Sequence, residues 1–447
     1  MMATKKLFTI FKNRPTFTWV DSLFLGNPHR SLAVFRIIFG LLIVATEIRF
    51  INRGWITEFY VKPQFYFTFY GFDWIHPLPE PYIYWIFYAL IFLGILITIG
   101  LFYRFAIILF FLIFTYVELL DKSVYLNHYY QVSLLAFLMC FLPMNRALSL
   151  DKNLLFKQKK DLGNIDWANF GLWALRFQVG SVYFFGGIAK LKYDWLFKAQ
   201  PLRIWLSANE HLPVVGHLLT EKWVAFLISW LAMIFDLSAP FLLCNRKTRF
   251  PIYIIIVAFH LLTHLLFNIG MFPWMMIFTA LIFFLPVSSI KIPNFNFYRQ
   301  KSLFWILGGF FLIQIIMPFR SHFYDGNVLW HEQGFRFSWN IMLMEKNGVV
   351  EYQVKIKKTG EVFTVKPADF LTPVQTRQMS FQPDMMLQFA HYLHQYYLDN
   401  VVGDTEIRAE CYASLNGRGS QLLIDSNVDL VKESEGFRQK NWVTELK

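Results

Sequence analysis

The chain has 447 residues, of which 56% are hydrophobic, 19% aromatic and only 16% charged, with a formal net charge of +12. Soluble domains carry about a quarter charged residues, so this balance excludes an ordinary soluble globule and points to an integral membrane protein. A basic excess of this size would suggest nucleic acid in a soluble protein. Here the basic residues fall between apolar runs, as the positive-inside bias produces, and no nucleic-acid partner is expected.

The start, MMATKKLFTIFKNRP, is basic and amphipathic, with neither the apolar core nor the small-x-small site of a cleavable signal. Residues 1–30 therefore read as a basic cytoplasmic segment, and the first span acts as its own insertion signal. A span needs about 20 apolar residues. Apolar runs at 31–51, 82–103, 104–121, 130–146, 167–190, 222–244, 251–269, 271–288 and 302–319 meet or approach that length. The junctions at 103/104 and 269/271 are tight enough for broken or re-entrant helices. The expected fold is a polytopic α-helical membrane domain over 31–319 with eight or nine spans. Basic residues cluster in the N-terminal segment, at Arg104, and in 146–160, 246–249 and 291–301, whereas 122–129 and the turn near 270 carry almost none. With the N-terminus inside and an odd number of spans, the C-terminal domain, 320–447, lies outside. In a bacterial inner membrane that is the periplasm.

This last region reads as a mainly-β extracytoplasmic domain. EYQVKIKKTGEVFTVKP alternates apolar and polar residues on both sides of a Thr-Gly turn, as a β-hairpin does. QPDMMLQFAHYLHQYYLDN has helical apolar spacing behind a proline suited to the first helical position. TEIRAECYASLNGRGSQLLID reads as two strands around an Asn-Gly-Arg-Gly turn. Three cysteines, Cys140, Cys244 and Cys411, build no disulfide framework. His391 and His394 read as part of a solvent-facing helix surface, Arg320 as a domain-junction contact, and Trp330 and Trp339 as outer-domain core. Arg336 is placed where it could face a substrate groove.

Ionisable residues inside spans are costly and face a bundle interior or a cavity. In the fifth span Arg176, Tyr183 and Lys190 recur every seven residues and so share nearly one face. Gly180, Gly186 and Gly187 lie close to it. Such a stripe describes either a pocket wall or a tight helix contact. Lys190 itself reads two ways, as a snorkelling anchor at the interface or as a desolvated amine that serves as a base. Asn127 and His128 lie in a short outer loop. His260 and His264 are one turn apart in the seventh span, with Asn268 a turn further on, but no carboxylate or cysteine accompanies them and no metal is expected. Asp236 lies near the middle of the sixth span without an evident partner. Lys190, Asn127, His128 and His264 fall in the outer half of the membrane or at its surface, with His260 nearer the middle, which favours a pocket open outward over a transport path through the full thickness.

Six segments, in order, resemble the vitamin K-dependent gamma-carboxylase family, including its bacterial members with the horizontally transferred transmembrane domain. They are LAVFRIIFGLLIV, NHYYQVSLLAFLMCFLPMNRALSLD, YFFGGIAKLKYDWL, FHLLTHLLFNIGMFPW, WHEQGFRFSWNIML and LNGRGSQLLIDSNVDL. The resemblance implies a membrane enzyme, a carboxylase of the carbon–carbon lyase type. Its lysine, at Lys190, deprotonates reduced vitamin K or a menaquinone-type hydroquinone. Reaction with dioxygen gives the epoxide and a base that takes the γ-proton of a substrate glutamate, and the carbanion captures carbon dioxide. His128 matches a histidine of the glutamate step, Asn127 would orient it, and His260 matches a histidine of the quinone and glutamate pocket. Arg176, Tyr183, Gly186 and Gly187 complete the expected binding wall. The implied partners are the bilayer, a quinone and a glutamate-containing protein or peptide. Phe335 and Phe337 stand where the animal enzymes carry a tyrosine. That departure keeps epoxidation without carboxylation as an alternative, and a non-catalytic receptor or transporter is the reading from another class.

Overall fold

A computed structural model describes residues 27–155, 165–267, 269–286, 301–400 and 403–447. Residues 1–26, Asn268 and the basic Lys157, Lys159, Lys160, Lys291 and Arg299 lie outside that set.

Each predicted apolar run carries helix. The helices are α1 (Pro28–Asn52), α2 (Tyr82–Ile99), α3 (Tyr103–Leu119), α4 (Asn127–Phe141), α5 (Ile165–Ala189), α6 (Tyr193–Lys198), α7 (Leu202–Ser207), α8 (Lys222–Cys244), α9 (Arg249–Phe267), α10 (Phe272–Thr279) and α11 (Lys301–Ile316). Among the described residues, five helices are long and apolar enough to cross a membrane: Pro28–Asn52, Tyr82–Ile99, Lys222–Cys244, Arg249–Phe267 and Ser302–Phe323. The others fall short for physical reasons. Gly100 (φ 66°) and Phe102 (φ 47°) break the chain between α2 and α3, leaving α3 with 17 residues. Gly270 (φ 63°) separates α9 from α10, an eight-residue helix that tightens into a 3-10 turn over Ala280–Phe283. α5 has 25 residues, but Arg176, Gln178, Ser181 and its glycines dilute its apolar character. The short helices α6 and α7 have no counterpart in the apolar pattern.

Local chemistry sets the helix boundaries and contacts. Asn27 caps α1 by accepting from the His29 N–H at 3.0 Å, with Pro28 at the first position. α1 and α2 approach closely because Gly40 meets Gly94: a Cβ on Gly40 would lie 2.8 Å from the Gly94 carbonyl. Arg36, fully buried, donates to the carbonyls of Met144 at 3.1 Å and Thr98 at 2.9 Å.

The C-terminal region holds a four-stranded antiparallel sheet in the order β2-β1-β3-β4, with β1 Lys346–Ile356, β2 Val362–Val365, β3 Thr405–Leu415 and β4 Gln421–Leu422. The hairpin forms where Gly360 (φ 75°) turns the chain, and Tyr352 pairs with Val365. Asn416 and Gly417 (φ 50° and 78°) make the β3–β4 turn. Helix α12 (Pro373–Met379) starts in a Thr372/Gln375 capping box. Helix α13 (Pro383–Asp399) packs Phe389 on Tyr352 at 5.1 Å between ring centroids. The sheet is therefore small, and the region is mixed α/β rather than mainly β. Four strands that bury one face need the apolar side of α13 to cover it.

Two apolar cores organise the molecule. One fills the helical bundle and includes Trp339, buried against Tyr130, which corrects its expected place in the outer domain. The other contains Trp330 and the sheet, but also Trp195, Leu202, Leu206, Ala232 and Met233 from the helical region. Charged contacts stitch the seam. Arg418 grips Asp194 with two bonds of 2.7 Å, and Asn416 adds a third at 3.1 Å. Asp384 pairs with Lys122 at 3.1 Å and Arg336 at 2.7 Å. Arg336 is thus engaged in an ion pair, and Arg320 donates to its carbonyl. His391 and His394 are half-buried, bonded to the Leu430 carbonyl (3.0 Å) and Thr405 Oγ1 (2.9 Å), rather than part of a free solvent surface.

Candidate functional site

Lys190 is the first residue beyond α5, and its N–H closes the last turn on the Gly187 carbonyl at 3.1 Å. The side chain turns back into the bundle, where Nζ donates to the Gly186 carbonyl at 3.2 Å and lies 2.8 Å from Asp236 Oδ2 of α8. Lys190 and Asp236 are 5% and 7% exposed, so the pair is an internal one and not an interfacial anchor. The Trp195 ring of α6 sits 5.3 Å from Nζ. A buried pair of this kind is tolerated because each charge compensates the other; either alone would be strongly destabilising.

The pair lies on the wall of an apolar cavity. α5 contributes Val182, Tyr183 and Gly186, α8 contributes Ile228 and Ala232, and α9 contributes Phe259, His260 and Thr263. Trp195, Leu202 and Leu206 close one side, while Ile341 and Met342, from the segment that follows Trp339, close another. Tyr183 Oη and His260 Nε2 are 3.0 Å apart, both buried. His260 Nδ1 has no hydrogen-bond partner among the described residues. An apolar chamber with a few convergent polar groups, one of them unsatisfied, is the general form of a small-molecule site. Its walls can enclose an apolar small molecule, with His260 and the Lys190–Asp236 pair as its polar contacts.

Of the residues expected at the site, Lys190, Tyr183, Gly186 and His260 line this cavity. A Cβ on Gly186 would come within 3.8 Å of Asp236 Oδ2 and 4.0 Å of Lys190 Nζ. Gly187 belongs elsewhere: a Cβ there would lie 2.8 Å from the Leu237 backbone nitrogen, so this glycine serves the α5–α8 contact. Arg176 is also displaced. It lies 14 residues before Lys190, about 21 Å along the helix, and donates to the carbonyls of Ile282, Phe283 and Leu285 at 3.3, 3.3 and 2.7 Å. It caps the end of the Ala280–Phe283 turn and does not line the cavity. Heptad spacing found its face but not its depth.

Asn127 and His128 line a second, neighbouring cavity together with Arg49, Trp55 and Gly270. Phe272, Ile269, Ile341 and Met342 face both chambers. The Phe272 ring, on the wall the two chambers share, lies 6.3 Å from the His128 ring and 6.0 Å from the His260 ring, centroid to centroid. His264 packs on Trp274 at 5.6 Å and does not converge with His260. Asp236 is the cavity-lining residue the sequence left unassigned. The available signal was a carboxylate within an apolar span, which requires a cation nearby, and Lys190 is the buried cation on the adjacent helix.

Residues 26–287 match the family model for the HTTM domain, and residues 299–447 match the model for the vitamin K-dependent gamma-carboxylase lumenal domain. No solved structure matches the chain. With the bundle and the outer region matched in this order over nearly all of its length, the chain belongs to the vitamin K-dependent gamma-carboxylase family.

Proposed function

We propose that this protein oxygenates a reduced quinone of the vitamin K or menaquinone type to its epoxide, and couples that reaction to carboxylation of a glutamyl side chain. The observation that carries the reading is the Lys190–Asp236 pair, buried 2.8 Å apart on the wall of an apolar cavity. The reduced quinone and dioxygen supply the strong base that takes the γ-proton, and carbon dioxide supplies the new carboxyl group.

The geometry refines how the chain would handle the first proton. A carboxylate oxygen 2.8 Å from Nζ gives a proton that leaves the lysine a place to go. Lys190 therefore passes one proton to Asp236 and takes another from the quinol hydroxyl, so the pair gains a single positive charge. That charge faces the negative charge left on the oxygen, in a chamber with little water to screen it. The Tyr183–His260 pair offers a second polar contact to the ring oxygens. His128, with Asn127 beside it, serves the glutamate side across the Phe272 partition.

We place the site at the outer face of a membrane domain, 31–319, with eight or nine spans, and residues 320–447 in the periplasm of a bacterial inner membrane. The basic residues in 146–160 and 246–249, set against the outer Asn127 and Gly270 turns, support that orientation. A quinone then arrives from the lipid and a protein or peptide glutamate from the aqueous side.

The test is epoxide formation from reduced vitamin K under oxygen, with wild type, Lys190→Ala and Asp236→Asn in nanodiscs, each checked for fold and quinone binding. Wild-type epoxide that a glutamyl peptide accelerates, lost in both variants, supports the coupled reaction. Epoxide indifferent to glutamate restricts the activity to epoxidation. Absence of oxygen consumption by wild type refutes the enzyme reading in favour of a receptor or transporter.

A further inference from the structure

The short helix α6 and the residues just before it carry two different faces. Inward, Asp194 and Trp195 are buried, the one held by Arg418 and the other on the cavity wall, its ring 5.3 Å from Lys190 Nζ. Outward, Leu191, Tyr193 and Phe197 are 52, 65 and 60% exposed. The Tyr193 and Phe197 rings, one turn apart, lie 5.4 Å from each other, and Lys198 Nζ lies 5.5 Å from the Tyr193 ring. With Asp194 engaged, this outer face has apolar and aromatic side chains, a lysine and no free carboxylate. Such a face is ill suited to water and well suited to the boundary between headgroups and acyl chains.

Its level in the bundle agrees. Trp195 Nε1 donates to the Ser229 carbonyl at 2.8 Å, Ser229 Oγ donates back to the Trp195 carbonyl, and Trp230 Nε1 donates to the Leu196 carbonyl at 3.0 Å. Ser229 and Trp230 lie seven and eight residues beyond Lys222, the first residue of the apolar span α8. At 1.5 Å per residue, α6 crosses α8 about 10–12 Å inside that end, level with lipid rather than above it. Trp230 and Leu231 of α8 are themselves exposed. On the other side, a cleft shared with Ser321 and His322 sets Lys192 and Tyr193 beside the end of the span Ser302–Phe323, whose last residue is also exposed. The outward face of α6 thus continues the apolar surface of two spans.

We propose that α6 docks in the outer leaflet of the bilayer, with Leu191, Tyr193 and Phe197 at the acyl boundary and Lys198 at the phosphates, and that this docking holds Trp195 against the Lys190–Asp236 pair. The partner is the lipid itself, and a zwitterionic leaflet suffices because apolar contact carries the binding. Both faces belong to one helix of six residues, so a displacement of the outer face moves the cavity wall. Lifting α6 from the lipid exposes its rings to water and slackens the clasp between Trp195 and Ser229. This surface is separate from the quinone and glutamate chemistry and depends on lipid contact alone.

Nitroxide labels on the full chain in phosphatidylcholine nanodiscs test the docking without relying on turnover. Tyr193→Cys and Phe197→Cys are labelled separately in a background with Cys140, Cys244 and Cys411 replaced by alanine, and unfolding midpoints serve as the fold control. A label at Leu231→Cys marks lipid, and one at Val349→Cys, on the open face of the sheet, marks water. Both α6 labels should relax with dissolved oxygen as the Leu231 label does, and several-fold less than the Val349 label with a water-soluble nickel chelate. Chelate access equal to that at Val349 overturns the docking. So does a label shielded from both reagents, which would show protein covering this face. Replacing Tyr193 and Phe197 together by serine should quicken amide hydrogen exchange at Leu196 by about tenfold. Unchanged exchange would overturn the hold on Trp195.

Discussion

Substitution of Asp194 by asparagine should loosen the wall of the Lys190 cavity from outside it. Asp194 is 5% exposed and lies four residues beyond Lys190, beside Trp195, which lines the cavity. Its two oxygens take 2.7 Å bonds from Arg418 of the outer domain. Burial alone would raise its pKa, but the bonds from Arg418 and Asn416 outweigh that and hold the carboxyl below its usual range. Asparagine keeps the shape, loses the charge and accepts at one oxygen only. Hydrogen bonds to charged groups contribute about 1.5–3 kcal/mol each. The Arg418 side chain is 21% exposed and regains water when released, so the combined loss falls to about 2–3 kcal/mol. At 1.4 kcal/mol per tenfold, this is about 30- to 150-fold in the opening equilibrium. Hydrogen exchange at the Leu196 and Gln200 amides, bonded at 3.0 and 2.9 Å within this segment, should accelerate by that factor. Arg418→Met should do the same, and the double variant should add little. Acceleration below threefold, or additive effects in the double variant, would refute the tether.

Gly187→Ala should destabilise the bundle by about 1–3 kcal/mol, because its methyl meets backbone; Gly186→Ala should leave the melting temperature nearly unchanged and weaken quinone binding, read by thermal unfolding and titration. Arg176→Met should cost about 2–4 kcal/mol by orphaning buried carbonyls while leaving the KM for quinone unaltered; a shift in KM would return this residue to the site. Asp236→Asn alone should be destabilising by about 3–5 kcal/mol, and combining it with Lys190→Met should recover much of that loss in thermal unfolding while activity stays absent. His331, whose pKa burial lowers to about 4, binds its proton more readily unfolded than folded. Outer-domain stability should then be full above about pH 6.5 and decline as the pH falls towards the folded value. His331→Gln should flatten that decline in pH-dependent melting.

Local pattern made much of the fold legible. Period-two alternation around Thr359 and Gly360 fixed the β1–β2 hairpin, and Pro383 marked the start of α13, since both are properties of a few consecutive residues. Lys190 stood out because it follows two glycines at the end of an apolar helix and shares a face with Arg176 and Tyr183. What stayed hidden depended on three dimensions. Asp236 and Lys190 meet only because α5 and α8 pack with Gly187 against Leu237. Arg176 shares the face of Lys190 but lies near the middle of the helix, 14 residues away, and a helical wheel carries no depth. The mixed character of the outer domain was hidden because only the folded sheet reveals how much cover four short strands need.

The core that joins Trp195, Leu202 and Leu206 to the sheet has an evolutionary consequence. The two segments matched by separate family models are not freely exchangeable parts. Recombination at residue 300 would join a sheet to helices that had not co-varied with its underside, exposing mismatched apolar surface on both. A workable chimera has to carry residues 193–233 along with its C-terminal third, so the heritable unit is discontinuous in the gene although the products of that unit are neighbours in space.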